Sequence, residues 1–130
     1  MGQPAAKQGD MVVGVDIHIF NLPSPSGTVP TPLPSPFSGQ IDQGCIDSVK
    51  VMGQAVAVKG SVAHNQPPHM PQGGPLANPP SNDGSVMMAS MTVQAGGKGI
   101  ARNGDPVQSC MDAGWASQPK IIAVSTVMVG

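Results

Sequence analysis

The stretch VAVKGS at residues 56–61 overlays AAKQGD at 5–10 and IARNGD at 100–105: an apolar residue, alanine, two variable positions, glycine, then Asp or Ser. A β-like run with a glycine turn precedes the second copy (Ser48-Val49-Lys50-Val51-Met52-Gly53) and the third (Met91 to Gly97). Alternating apolar residues, a glycine turn and a further short strand spell a β-hairpin. The first copy has no residues upstream to supply its partner strand. The far end of the chain does, because Ser125-Thr126-Val127-Met128-Val129-Gly130 repeats the same phrase. Pairing the last strand with the first would complete a third hairpin and remove sheet edges that invite aggregation. The expected fold is therefore all-β: a small cone or prism of three pseudo-repeated β-hairpins closed by N- and C-terminal strands, with long Pro/Gly-rich loops and little helix. Residues 1–130 form one domain on this reading.

Composition agrees with many short strands and stiff connections. The chain has 17 Gly and 15 Pro, yet its apolar fraction of 39% is too high for a solvated coil. Its net charge of −1, with no run of Lys or Arg, lacks the electrostatic footprint of a nucleic-acid partner or a stably bound anionic membrane. The apolar runs fall short of a membrane span. The polar start MGQPAAKQGD has no apolar signal core, so synthesis in the cytoplasm without a signal peptide is expected. In that compartment Cys45 and Cys110 are expected as thiols or ligands rather than a disulfide.

The copies are far apart, with 51 residues from Gly9 to Gly60 and 44 from Gly60 to Gly104. The first excursion, 21–39, has proline at 23, 25, 30, 32, 34 and 36, and reads as an extended polyproline-like strap packed on the surface. The second, 65–85, is turn-rich, and the third runs from Pro106 to Pro119 past Trp115.

All three histidines lie downstream of a Gly-Asp or Gly-Ser step: His18 after Gly9-Asp10, and His64 and His69 after Gly60-Ser61. Cys110 follows Gly104-Asp105. Converging repeats would bring His18, His64, His69 and Cys110 to one point as a four-ligand, closed, structural metal site, with Cys45 as the alternative thiolate. Imidazole and thiolate favour zinc over magnesium or calcium, with iron or another transition metal as the alternative.

Pro4-Ala5-Ala6-Lys7 with Gly9-Asp10, and Ile100-Ala101-Arg102 with Gly104-Asp105, resemble the PAAR-repeat proteins, with lysine at the arginine position in the first copy. The Ser48 to Gly53 phrase and the Gly96-Gly97-Lys98 turn are similar to that family too. The resemblance implies a monomeric β cone with a metal held by three His and one Cys at its point. Its base would sit on the trimeric β-helical VgrG-type spike of a type VI secretion system or a related contractile injection machine. Such a tip would cap and sharpen the spike, cross a target membrane transiently, and leave the cell with the machine. Val49, Val51, Val93, Val127 and Val129 are candidates for the base. The alternative function is a cargo adaptor that attaches an effector toxin to the spike through its loops.

No catalytic function is expected. The sequence has no nucleophile-base pair and no phosphate-binding glycine loop, and its aspartates are scattered, with Asp10 and Asp105 better explained as turn-formers. A zinc hydrolase would require one of the four ligand positions to be open.

Overall fold

A computed structural model describes residues 2–110 and 118–130. The sequence reading of Trp115 and of the rest of 111–117 lies outside these residues. Twelve strands follow in order: β1 Gln3–Pro4, β2 Met11–Ser24, β3 Gly27–Gln43, β4 Ile46–Val51, β5 Gln54–Val56, β6 Val62–Asn65, β7 Asp83–Val86, β8 Gln94–Ala95, β9 Lys98–Gly99, β10 Val107–Gln108, β11 Lys120–Ile122 and β12 Met128–Val129. No helix occurs among the described residues.

The three copies of the repeat form a closed ring of backbone hydrogen bonds. Ala6 N–H donates to the Ala101 carbonyl (2.8 Å), Ala101 N–H to Ala57 (2.9 Å), and Ala57 N–H to Ala6 (3.0 Å). Two residues further along, Gln8 N–H donates to the Ala55 carbonyl, Lys59 to Gly99 and Asn103 to Pro4, a second ring that runs in the opposite cyclic order. Only a methyl group fits where three strands meet this closely, and all three ring alanines are fully buried. Each copy then turns through Gly9, Gly60 or Gly104 at φ of 95, 92 and 86°, a left-handed conformation that a residue with a Cβ rarely adopts.

The residue after the glycine closes the turn. Asp10 Oδ2 accepts the Lys7 N–H (2.9 Å), Ser61 Oγ the Val58 N–H (2.9 Å), and Asp105 Oδ2 the Arg102 N–H (2.7 Å). Aspartate appears where its second oxygen also meets a cation, Lys7 Nζ at 2.7 Å and Arg102 Nη2 at 3.0 Å. Serine serves where the neighbour is the neutral Val58.

Before each ring position lies a hairpin: β4 with β5, β8 with β9, and β1 with β12. The last joins the chain ends, with Gln3 opposite Val129 and Pro4 opposite Met128. After each turn the chain enters a six-stranded antiparallel sheet of order β10-β7-β6-β3-β2-β11. A bridge from Pro106 to Lys120 and a bond from Val107 N–H to the Pro119 carbonyl (2.9 Å) link its two outer strands and nearly close it.

The alanine ring divides the core. On the sheet side Ala6, Ala57 and Ala101 pack with Val12, Phe37, Ile41, Ala63, Val86, Val107 and Ile121. On the hairpin side Ala5, Val56 and Ile100 pack with Val51, Ala95 and Val129. Fully burying a side chain such as Phe37 or Ile121 contributes about 1.5–3 kcal/mol. The base assignment of Val51 and Val129 is thereby corrected, since both point into the second core at 2% and 3% exposure. Their outward neighbours Val49, Val93 and Val127 are 36%, 39% and 41% exposed, one per hairpin.

The proline strap is also corrected. Residues 21–39 belong to a long β2–β3 hairpin, paired from Met11 with Gln40 to Ser24 with Gly27. Pro30, Pro32, Pro34 and Pro36 alternate along β3, and all four are exposed, while Ser35, Phe37, Gly39 and Ile41 are buried. At this spacing every missing N–H falls on the edge of β3 away from β2, so proline costs no ladder bond with its neighbour. The Ser38 N–H and carbonyl both point to that edge, meeting Asn65 Oδ1 and the Gln66 N–H.

Candidate metal centre

Period-two alternation in β2 turns its even residues inward, so Val12, Asp16, His18 and Phe20 are buried. Asp16 and His18 thus share one face two residues apart. His69 comes to them from the loop after β6, and Cys110 from the residues after β10. Asp16, His18, His69 and Cys110 each offer one ligand atom, and these atoms all lie within 4.8 Å of one another.

Asp16 is the hub. Its Oδ2 lies 2.9 Å from His69 Nε2, 3.5 Å from Cys110 Sγ and 3.9 Å from His18 Nε2, and Cys110 Sγ is 3.7 Å from His18 Nε2. Its other oxygen, Oδ1, accepts the Ser109 hydroxyl. The two imidazoles meet edge to face with centroids 4.7 Å apart, and Phe37 lies below His69 at 6.4 Å.

A second layer holds His69 in place. Its backbone N–H donates to Asn82 Oδ1 at 2.7 Å. Asn65, buried at the end of β6, accepts the Ser38 N–H with Oδ1 (2.9 Å) and places Nδ2 3.3 Å from both His69 Nδ1 and Asn82 Oδ1. These amides and Ser109 fix the donors from outside, as second-layer partners do in metal sites.

Burial pushes the Cys110 thiol up to about 11, and the adjacent Asp16 carboxylate adds to the rise, while a backbone contact at Asn82 opposes it. A bound cation reverses that balance by stabilising thiolate and carboxylate together. The ion pairs of Asp16 among the described residues are with His18 and His69 alone. The cluster of Asp, two His and Cys could hold a metal ion.

The structure brings together His18, His69 and Cys110 from the sequence-derived set. It places His64 elsewhere. On β6 the inward positions are Ala63 and Asn65, so His64 faces out, where Nδ1 meets Asp83 Oδ1 and Nε2 lies 3.2 Å from Asp42 Oδ1. Asp16 stands in the cluster instead. Cys45 is a free thiol packed against the sheet-side core near Ser61, and burial pushes it up as well.

Asp16, Asn65, Asn82 and Ser109 were not among the sequence candidates. The signal for Asp16 was its parity with His18 on one strand.

No protein-family model, curated protein or solved structure matches this chain.

Proposed function

We propose that this chain is a zinc-stabilised tip that caps the trimeric, VgrG-type spike of a type VI secretion system or related contractile injection machine, and aids its passage through a target membrane. The observation that carries the reading is the ring through Ala6, Ala57 and Ala101. It gives a single chain a threefold arrangement of hairpins, which is what a monomer needs in order to match the end of a threefold partner. Val49, Val93 and Val127 repeat on the three hairpins as partly exposed apolar contacts for that partner.

The donor set supports zinc. A thiolate, a carboxylate and two neutral imidazoles carry two negative charges, which balance a divalent cation. A tetrahedral site with zinc bond lengths separates its ligand atoms by about 3.3–3.7 Å. Here two of the separations given above, 3.5 and 3.7 Å, fall within that range and a third, 3.9 Å, lies just beyond it. The closer pair, His69 and Asp16 at 2.9 Å, is spaced as a hydrogen bond that a metal would replace.

A metal there would tie β2 to the loop after β6 and to the residues after β10, cross-linking the sheet end of the fold. A rigid, sparsely charged body with its sheet nearly closed and its chain ends paired suits a part that transmits force rather than one that turns over substrate.

The test is co-expression with a trimeric β-helical spike protein and native mass spectrometry. One copy of this chain per spike trimer is expected. A ratio of three to three, or no complex at all, would overturn the reading.

A further inference from the structure

The pseudo-threefold symmetry is broken on the flanks. The passage from the six-stranded sheet to the hairpin, strand ends included, carries Asp42 and Asp47 in one copy, Ile122 and Val124 in another, and Met87, Met88 and Met91 in the third. Beside this third linker lies a groove of about 800 Å³, lined by those three methionines together with Lys59, Gln94 and Lys98. Its size falls within the ~300–1,000 Å³ of ordinary ligand clefts.

The groove is preorganised. Ser90, 4% exposed, accepts the Val93 N–H at 3.0 Å and donates its hydroxyl to the Gly130 carbonyl at 2.6 Å, and its own N–H donates to the Ile100 carbonyl at 2.9 Å. A Cβ on Gly99 would come within 2.1 Å of the Ser90 carbonyl oxygen, so the linker is clamped hard against β9. A fixed floor lowers the ordering cost of binding.

Three methionines on one linker are flexible, polarizable contacts that mould to varied apolar side chains. Met88 is 58% and Met91 92% exposed. The charges select the occupant. Of six cationic residues, Lys7 and Arg102 are in ion pairs, and two of the other four, Lys59 and Lys98, line this one groove without an ion pair among the described residues.

We infer that this groove is a docking site for a peptide segment of a partner protein, with apolar side chains seated on the methionines and carboxylates meeting Lys59 and Lys98. A concave surface with two separated cations fits a peptide better than a flat anionic bilayer. The inference does not depend on the spike reading, because the groove exists whether or not the hairpins seat on a trimer.

Fluorescence anisotropy with synthetic peptides tests it. Leucine anchors are kept constant while the flanking residues are Glu and Asp, Ser, or Lys, and vesicles of phosphatidylserine and phosphatidylcholine are run alongside. The acidic peptide should bind most tightly and weaken as salt rises. Lys59→Glu combined with Lys98→Glu, and separately Met88→Asp, should each weaken it at least tenfold, while Lys50→Glu with Lys120→Glu should leave it unchanged. Equal binding of acidic and basic peptides would overturn the proposal. So would the absence of peptide binding, indifference to the groove substitutions, or binding to the vesicles in preference to every peptide.

Discussion

His69 Nε2 lies 2.9 Å from Asp16 Oδ2 although 53 positions separate the two residues in the chain. The contact links a strand of the long hairpin to the loop after β6, and it exists because Asn65 and Asn82 hold the His69 backbone and ring from behind. Replacing Asp16 by Ala removes one ligand and a negative charge. Metal content measured by plasma mass spectrometry should fall from near one equivalent to well below it. Asn65→Ala, which leaves all four ligands in place, should weaken metal affinity by about 10–100-fold.

The Cys110 thiol gives a pH signature in the metal-free protein. Its folded value of about 11 is above the ordinary 9.0, so the folded state holds this proton more tightly than the unfolded one. That contribution to stability is complete below about pH 9 and is lost as pH rises toward 11. Denaturant unfolding of the metal-free protein should therefore show declining stability across this window, and Cys110→Ser should flatten the decline. Iodoacetamide should react sluggishly with Cys110 at pH 8, since only about 0.1% would be thiolate with a value near 11.

The alanine ring should tolerate nothing larger. Ala57→Val and Ala101→Leu force side chains into the meeting point of three strands and should destabilise by about 1–3 kcal/mol or more. Ala77→Leu, at an exposed loop position, should stay within about 0.5 kcal/mol. Urea denaturation separates the two cases.

Two valines two residues apart distinguish packing from docking. Val129 is buried in the hairpin-side core, so Val129→Ala should cost about 1–3 kcal/mol. Val127 is 41% exposed, so Val127→Asp should change stability little yet weaken association with a spike trimer. Equal stability losses would contradict the assignment of the two faces.

The prolines of β3 protect an edge. Replacing Pro30 and Pro32 by Thr restores two N–H donors on its outer side and should promote concentration-dependent self-association, visible by light scattering.

The repeat was legible because its chemistry is local. A glycine forced left-handed, a side chain that caps the turn and an alanine with no room around it each leave a mark at a fixed offset. Closure through the chain ends followed from the match between Ser48–Gly53 and Ser125–Gly130. The site was legible only in part. Counting in twos from Asp10, Ser61 and Asp105 reaches the buried Val12, Ala63 and Val107, and on β2 continues to Asp16 and His18, while His64 falls on an odd step and faces water. Residue type favoured three histidines, but strand parity decided which side chain could enter. Parity also resolves the proline tract: alternate prolines read as a polyproline strap only if the strand beside them is overlooked. The contributions of Asn65, Asn82 and Ser109 depend on loops whose course no periodicity encodes.

Anomalous diffraction from crystals of the purified protein, collected at the zinc edge, tests the account most directly. A single peak bounded by Asp16, His18, His69 and Cys110, with His64 still directed toward Asp42 and Asp83, is the expected result. A peak at His64, or zinc retained in full after Asp16→Ala but lost after His64→Ala, would contradict it.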